Sequence, residues 1–131
     1  LAVLLIDIDH FKRINDHHGH LAGDTVLRDA AQRMRAALPE SARFGRWGGE
    51  EFIAVLPDIG PLDAEQVAER VRDAVAASPF RFEEHAIAVS ISVGVAAAPR
   101  PERRGIDRLI ATADAALYRA KNAGRNRVEV G

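Results

Sequence analysis

Two pairs of acidic residues give the first indication of chemistry in this sequence. Asp7 and Asp9 close an apolar run, and Glu50 and Glu51 follow a Gly-Gly pair later in the chain. If the two segments form neighbouring strands, one carboxylate from each pair meets the other at one edge of the sheet. Converging carboxylates favour a hard cation such as Mg²⁺, which takes its remaining ligands from water and substrate phosphates. Spacing alone favours two separate solvated pairs of acids, which are common at strand ends. At this point a site for a metal ion and a phosphate-bearing substrate is therefore one of two interpretations.

A cluster of histidines follows the first acidic pair. Its members are His10, His17, His18 and His20. Their spacing matches no H-E-x-x-H or two-histidine helix pattern, so we interpret them as turn and cap residues, with a zinc site as the weaker alternative. An EF-hand loop beginning at Asp7 is excluded, because Phe11 and Lys12 stand where a third ligand and a glycine are required.

Composition and charge narrow the class of protein. The 131 residues are 47% hydrophobic and 28% charged, with a net charge of −1, which is typical of one globular domain. The near-zero charge argues against bulk attraction to nucleic acid or anionic lipid. The absence of cysteine excludes disulfides and thiolate sites and is consistent with a reducing compartment. No run reaches the ~18 apolar residues of a membrane helix, and no P-loop or G-x-G-x-x-G motif occurs.

Hydrophobic periodicity predicts strands and helices in the order β-α-α-β-β-α-β-β-α-β. The predicted strands are 2–8, 42–47, 51–56, 80–84, 86–96 and 127–130, and the predicted helices are 10–19, 21–38, 63–77 and 107–123. The first of these helices is short and polar, and a turn is its alternative. This order predicts an α+β fold of the ferredoxin-like kind, a sandwich whose central mixed sheet is covered by helices.

Local signals refine several of these elements. Gly48-Gly49 predicts a two-residue hairpin turn, because such turns require positive φ. Asp63 and Gln66 stand at capping-box spacing, and Gly124 is expected to end the last helix. One face of the strand 86–96 carries only small residues, which are Ala88, Ser90, Ser92 and Gly94. That small face predicts a closely packed helix, with a bound ligand as the weaker alternative.

Three separate motifs resemble a known family. They are Asp7–Asp16 (D-I-D-H-F-K-R-I-N-D) with the following Gly19-His20 and Gly23-Asp24, then Arg46–Phe52 (R-W-G-G-E-E-F), then Lys121–Asn126 (K-N-A-G-R-N). In this order they resemble the GGDEF family of diguanylate cyclases, in its GGEEF variant. The match covers nearly the whole chain. A lone Gly-Gly-acid-acid sequence is weak evidence, whereas three motifs in order on the expected elements are a strong signal.

The resemblance implies a nucleotide-cyclase palm-like fold that condenses two GTP molecules into cyclic di-GMP and two pyrophosphates. Each of two identical protomers is expected to hold one GTP, facing the other. The resemblance assigns two Mg²⁺ ions per half-site, or Mn²⁺ in their place, to Asp7, the backbone carbonyl of Ile8 and Glu50. Glu50 is also the expected general base. Glu51 is expected to add a metal contact or structural support.

Substrate contacts are carried over residue by residue. The expected substrate-binding residues are Lys12, Asn15, Asp24, Gly48, Gly49, Lys121 and Arg125. The resemblance assigns Asn15 and Asp24 to guanine, and the lysines and arginine to phosphate. From the residues alone, Asp24 is also explained as an acid near a helix N-terminus, and Lys121 and Arg125 as cations near a helix C-terminus.

The chain departs from the family's pattern in two places. Pro39 and Ala42 stand where many members carry the Arg and Asp of an R-x-x-D product-binding motif, so we expect no inhibitory site there. The segment that usually precedes the first strand is absent, so residues 1–131 are interpreted as a GGDEF catalytic domain, an N-terminally truncated fragment of a longer protein. We expect this domain to be cytoplasmic, to follow a sensory domain, and to contact neither nucleic acid nor membrane directly.

Two other functions remain open from the sequence. One is a GTP-binding regulatory module without catalytic activity, which the intact metal and phosphate positions disfavour. The other is an unrelated palm-like nucleotidyltransferase acting on nucleic acid, which the near-zero net charge and Asp24 disfavour. Formation of cyclic di-GMP from GTP alone separates the cyclase from both.

Overall fold

A computed structural model describes residues 1–99 and 103–131 of the chain. The strands are β1 (Ala2–Ile8), β2 (Arg43–Gly48), β3 (Glu51–Leu56), β4 (Phe80–Phe82), β5 (His85–Ile87), β6 (Ile91–Ala97) and β7 (Arg127–Val130). The helices are α1 (Phe11–His18), α2 (His20–Ala37), α3 (Pro61–Ala76) and α4 (Arg103–Asn122). None of these four helices combines the length and the apolar composition that a membrane-spanning segment requires.

The main sheet has five strands in the order β2-β3-β1-β6-β7. All neighbouring pairs are antiparallel except β6 and β7, which run parallel. β4 and β5 form a separate two-stranded ribbon. The sheet is therefore mixed and its helices lie on both faces, which confirms the predicted α+β architecture.

β1 is buried along its whole length because it lies in the middle of this sheet. Its side chains alternate between the two faces of the sheet. Leu4 and Ile6 pack into the larger core with residues of α2 and α3, whereas Val3 and Leu5 pack against α4. Burying each of these side chains contributes about 1.5–3 kcal/mol. A strand covered on both faces has a continuous apolar run, which explains why its boundaries were predictable.

The small face of β6 is covered by a helix, as predicted. Gly94 lies so close to α4 that a Cβ atom there would overlap the backbone of Ala113 and Leu117. The neighbouring Ser92 is completely buried. This close approach brings the last turn of α4, with Lys121, to the end of β1.

The prediction of one strand over 86–96 is wrong. The chain forms β5 and β6 instead, with residues 88–90 between them. β5 pairs with β4, whereas β6 pairs with β1, and one unbroken strand cannot belong to both sheets. The alternating pattern continues through the break, since Ile87 and Val89 are buried and Ala88 between them is exposed, so periodicity could not reveal the change of partner.

The predicted start of α3 is also wrong. The helix begins at Pro61, with Gly60 as its N-cap and no side-chain capping bond. Proline suits the first helical position because its missing N–H would have no partner there. Asp63 lies in the first turn, where its charge is favoured by the helix dipole, and the capping box with Gln66 does not form.

We expect Gly94→Ala to destabilise the fold, because the added methyl group meets helix backbone rather than a flexible side chain. Overpacking of this kind costs about 1–3 kcal/mol. Gly45→Ala is the matched control, since Gly45 also lies in a strand and nothing lies within 4 Å of the position of its Cβ. Urea denaturation of both variants measures the difference. Equal stability of the two would contradict the packing of α4 on β6.

Candidate active site

The pairing of β1 with β3 brings the two acidic pairs together. Asp7 lies directly opposite Glu51 in the antiparallel register, and the backbone N–H of Ile8 donates to the carbonyl oxygen of Glu50 at 3.2 Å. Residues directly opposite each other in such a pair point to the same face of the sheet. The acids that are far apart in the sequence therefore meet at one edge of the sheet, as predicted.

Glu50 lies in the hairpin turn rather than at the start of the strand. Gly48 is the last residue of β2 and pairs with Glu51, so the two turn residues are Gly49 and Glu50. Of the two glycines, only Gly49 has positive φ, at 52°. The predicted Gly48-Gly49 turn is thus displaced by one residue. A bulge between Arg46 and Gly48 shifts the register of β2 and accounts for the displacement.

Arg46, the first residue of the R-W-G-G-E-E-F motif, holds this turn in place. Its Nε and Nη2 atoms donate to the carbonyl oxygen of Gly49 at 2.8 and 2.6 Å. The guanidinium fork is suited to such a double contact because its donors are rigidly spaced. Arg46 therefore restrains the position of the adjacent Glu50.

Asp7 is a buried carboxylate paired with a lysine. Its side chain is 7% exposed and forms an ion pair with Nζ of Lys121 in the last turn of α4. Burial raises the pKa of Asp7 to about 6, the bond to Lys121 acts against that rise, and the charges of Glu50 and Glu51 add to it. A further cation beside this carboxylate would stabilise its charged form.

Cationic side chains surround the acids in one cleft. The cleft has a volume of about 180 Å³, and its lining includes Asp7, Ile8, Glu50, Lys12, Lys121 and Arg125. Lys12 lies near the start of α1, and Arg125 follows the end of α4. Oxygen donors and positive charges that line one cleft suit an anionic ligand that brings a divalent cation with it.

The carboxylate of Asp9 already accepts hydrogen bonds from other groups of the protein. Its carboxylate accepts hydrogen bonds from the hydroxyls of Ser90 and Ser92 at 2.7 and 2.6 Å, and from the backbone N–H of Asn126 at 2.9 Å. It is only 6% exposed. Although Asp9 has the same residue type and strand position as a candidate ligand, it ties β1 to β6 and to the segment after α4.

The segment after α4 has an unusual backbone. Gly124 has φ of 124°, and the N–H of Arg125 donates to the carbonyl of Ala120 at 3.0 Å, so the expected glycine ends the helix. Arg125 and Asn126 then adopt φ of 64° and 46°. Left-handed backbone costs about 1–2 kcal/mol for a residue with a side chain, so neighbouring contacts must compensate.

The two residues expected to contact guanine lie close together. The side chain of Asn15 lies against Gly23, where any Cβ would overlap its Oδ1 atom. Asp24 is the next residue along α2 after Gly23. It lines an open cavity of about 430 Å³ between α2 and the β2–β3 hairpin. Asn15 and Lys12 are three residues apart on α1, so this helix connects the predicted guanine region to the phosphate cleft.

One of the clustered histidines, His10, belongs to the lining of the cleft that contains Asp7 and Glu50. With His17 and His18 it also lines a neighbouring cleft of about 320 Å³, and the rings of His18 and His85 are 5.4 Å apart. Within residues 1–99 and 103–131, no group of three or more histidine, cysteine, aspartate or glutamate residues is arranged to hold a metal ion. The site proposed below uses two carboxylates and a backbone carbonyl, which is a different donor set.

The region of the missing R-x-x-D motif forms a turn. The N–H of Ala42 donates to the carbonyl of Pro39 at 3.0 Å. Both residues precede β2, apart from the cleft that contains Glu50. The expected lack of product inhibition stays a prediction.

Comparison with known proteins identifies the family. A family model described as "Diguanylate cyclase, GGDEF domain" matches residues 1–127. The chain belongs to the GGDEF family. The predicted resemblance is therefore confirmed, and the match covers every element from β1 to the start of β7.

Individual relatives agree with this assignment. The GGDEF chain is 45% identical over 130 residues to the diguanylate cyclase DgcP of Pseudomonas aeruginosa, covering 99% of this chain and 19% of that protein. It resembles the crystal structure of the diguanylate cyclase SiaD in complex with its activator SiaC, also from Pseudomonas aeruginosa. In that comparison the TM-score is 0.92, the identity is 40%, and 99% of this chain and 49% of that chain are covered.

A third relative is described as having the GGEEF variant of the motif. The structure of the active GGEEF domain of a diguanylate cyclase from Vibrio cholerae matches with a TM-score of 0.88 and 36% identity, covering 98% of this chain and 81% of that one. These structural matches confirm the cyclase fold. The chain spans between 19% and 41% of the length of the curated relatives DgcP and DgcF.

We expect Asp7→Asn to stabilise the GGDEF domain near neutral pH in the presence of a chelator. The folded-state pKa of about 6 lies above the ordinary value of 3.8. Folding is therefore favoured when Asp7 is protonated, and that contribution is lost as the pH rises through this interval. The amide avoids burying a charge, so the free energy of unfolding should rise by about 2–3 kcal/mol, and the difference should vanish below about pH 4.

Asp9→Asn is the matched control and should change stability in the opposite direction. An amide nitrogen cannot accept the hydrogen bonds that one carboxylate oxygen of Asp9 receives from Ser90 and Asn126. Urea denaturation as a function of pH compares the two variants. Destabilisation by Asp7→Asn at neutral pH would contradict the electrostatic description of this site.

Proposed function

We propose that this chain is the catalytic domain of a diguanylate cyclase that converts two GTP molecules into cyclic di-GMP and two pyrophosphates. The observation that carries the proposal is the cleft in which Asp7 and Glu50 meet Lys12, Lys121 and Arg125. Phosphoryl transfer is mainly a matter of positioning the reactants and neutralising charge, and these side chains are suited to both.

The chemistry needs one new phosphodiester bond for each GTP. The 3′-hydroxyl of one nucleotide attacks the α-phosphorus of the other, the bond to pyrophosphate breaks, and the hydroxyl proton leaves. Repetition in the other direction closes the ring. Glu50 is the proposed proton acceptor, since the turn held by Arg46 restrains its position beside the cleft.

The donor set fits a hard divalent cation. Asp7, Glu50 and the carbonyl of Ile8 offer oxygen atoms only, which is the preference of Mg²⁺ and Mn²⁺. The buried charge of Asp7 is incompletely compensated by Lys121, so a cation has a favourable place beside it. When bound, such ions lower the pKa of the attacking hydroxyl and stabilise the departing pyrophosphate. Glu51, directly opposite Asp7, adds negative charge to the same edge of the sheet.

Lys12, Lys121 and Arg125 are the proposed phosphate contacts. Lys121 neutralises Asp7 and also lines the cleft, so a phosphate is its alternative partner once a cation neutralises the carboxylate. The guanidinium group of Arg125 is a planar fork of donors, whereas the ammonium groups of the two lysines are point charges. Both kinds of cation suit a triphosphate. Gly48 and Gly49 carry no side chains and have open space beside them, so a nucleotide can approach the backbone closely at these two residues.

Asp24 and Asn15 are the proposed guanine contacts. A carboxylate accepts from N1–H and the N2 amino group of guanine together, and adenine has no matching pair of donors. The side chain of Asn15 lies against Gly23, which directly precedes Asp24 near the start of α2. This geometry supports selection of GTP over ATP.

Catalysis is proposed to require a second copy of the chain. The cleft of about 180 Å³ has room for the phosphates of one nucleotide, whereas condensation needs two nucleotides face to face. Residues 1–131 are accordingly proposed as a catalytic domain whose pairing is controlled by an upstream sensory domain, with the active site in the cytoplasm. A GTP-binding module without turnover is the alternative that the following test separates.

We expect Glu50→Gln to reduce cyclic di-GMP formation by roughly 10²-fold or more, because glutamine keeps the shape but loses the charge and the basicity. The measurement uses the chain fused to a dimerising partner, with GTP and Mg²⁺, and detects the product by chromatography. Glu84→Gln is the matched control, since Glu84 is exposed in the turn between β4 and β5.

The outcomes of this assay distinguish the candidate functions. Binding of GTP without product by the unmutated chain would favour the regulatory module. Extension of a nucleic-acid primer would favour the unrelated nucleotidyltransferase. Full activity of Glu50→Gln would exclude Glu50 as metal ligand and base alike.

We expect Asp24→Ala to lower the preference for GTP over ATP by about tenfold or more. The variant loses the hydrogen bonds between guanine and a charged carboxylate, and the free energy of such bonds corresponds to that change in affinity. Competition of the two nucleotides for binding measures this ratio. Asp29→Ala, on the same helix, should leave the ratio unchanged. Equal turnover of ATP and GTP by the unmutated chain would contradict the guanine assignment.

A further inference from the structure

We propose that Arg72 is a positioning residue, which holds Asn126 so that the neighbouring Arg125 faces the phosphate cleft. The inference rests on the proposed function, because it takes Arg125 as a ligand of the triphosphate. Arg72 belongs to none of the sequence motifs, and its helix α3 contributes no residue to the lining of that cleft. Its effect on the nucleotide is therefore indirect.

The segment that needs support is the turn after α4. Arg125 and Asn126 both have left-handed φ, at 64° and 46°. Residues with side chains keep this backbone only where the surrounding contacts over-determine it. The direction in which the Arg125 side chain leaves the turn depends on these angles, so the contacts that stabilise them also aim its guanidinium group.

One such contact comes from Asp9, the residue directly after β1. The backbone N–H of Asn126 donates to Oδ2 of Asp9 at 2.9 Å. The same carboxylate is buried and accepts from the hydroxyls of Ser90 and Ser92, so it cannot easily move. This contact fixes the backbone of Asn126 and leaves its side chain to a second partner.

The second partner is Arg72. Its Nη1 atom donates to Oδ1 of Asn126 at 3.0 Å. Its Nε and Nη2 atoms pair with Glu69 at 3.1 Å and Asp73 at 2.9 Å, and these two carboxylates orient the guanidinium. The Arg72 side chain is only 20% exposed, and its bond to Asn126 lies at the surface of the protein. Lysine has no planar fork and cannot make the three contacts together.

The same contacts explain why Arg72 matters more for the site than for folding. Glu69 and Asp73 are on the same helix and are 47% and 75% exposed, and exposed pairs of this kind contribute little to stability. The bond to Asn126, by contrast, joins α3 to the turn that carries Arg125. Removing Arg72 should consequently lower nucleotide affinity with only a small change in melting temperature.

The test is a double-mutant cycle on nucleotide binding. Calorimetry measures the affinity of the 131-residue chain for 3′-deoxy-GTP with Mg²⁺, since this nucleotide lacks the attacking hydroxyl. We expect Arg72→Ala to weaken binding about tenfold. In a chain that already carries Arg125→Ala, the same change should have no further effect, because Arg72 acts only through Arg125. Arg108→Ala is the control, an exposed arginine on α4.

Two further measurements keep the result independent of folding. The melting temperature of each variant is compared with that of the unmutated chain. Arg72→Lys keeps the charge but not the fork, so it should fold normally and still bind the nucleotide several-fold more weakly.

Each outcome has a distinct meaning. Unchanged affinity in Arg72→Lys and Arg72→Ala would overturn the inference, and so would equal losses with and without Arg125. No binding by the unmutated chain would instead count against the proposed function itself.

Discussion

The candidate site depends on the place of β1 between β3 and β6. Hydrogen bonding on both sides fixes the register of this strand, so Asp7 lies opposite Glu51 and next to Ser92 at the edge of the sheet. A slip of one residue would turn Asp7 toward the opposite face, away from Lys121. The same slip would turn the apolar residues of β1 away from their cores, so the stability of the fold and the geometry of the site are maintained by one constraint.

Two aspartates on this strand show how the surroundings decide the role of a residue. Asp9 has its acceptor sites filled by two serine hydroxyls and a backbone N–H, so its buried charge is stabilised by the fold. Burial raises the pKa of Asp7 to about 6. The ion pair with Lys121 acts against this rise, and the negative charges of Glu50 and Glu51 add to it. A carboxylate left in this condition costs stability, which is typical of residues kept for binding or catalysis rather than for folding.

Much of the fold was predictable because its signals are local. β1, the hairpin strands and α2 follow from apolar periodicity, and so does α4 except for its first turn, which precedes the predicted start at Asp107. Gly124 ends this helix as expected. The errors occur where pairing with another strand determines the local structure. The strand 86–96 is divided because its two halves pair with different strands, and the turn shifts by one residue because a bulge forms near Arg46. The candidate ligands were found by motif, whereas the contacts that Arg46 makes with Gly49 and Arg72 makes with Asn126 could not be predicted from spacing.

The amino-acid sequence by itself determined the family, the order of the main elements and which residue types are available for a metal–nucleotide site. Only the tertiary structure decided that Asp7 is paired with Lys121 while Asp9 accepts three hydrogen bonds, and that Lys12, Lys121 and Arg125 share one cleft. The physical reason is that hydrogen bonding and burial depend on neighbours from other strands and helices. Local sequence specifies which groups a residue carries, and the packing of α4 and β6 around β1 specifies which of those groups remain free for a ligand.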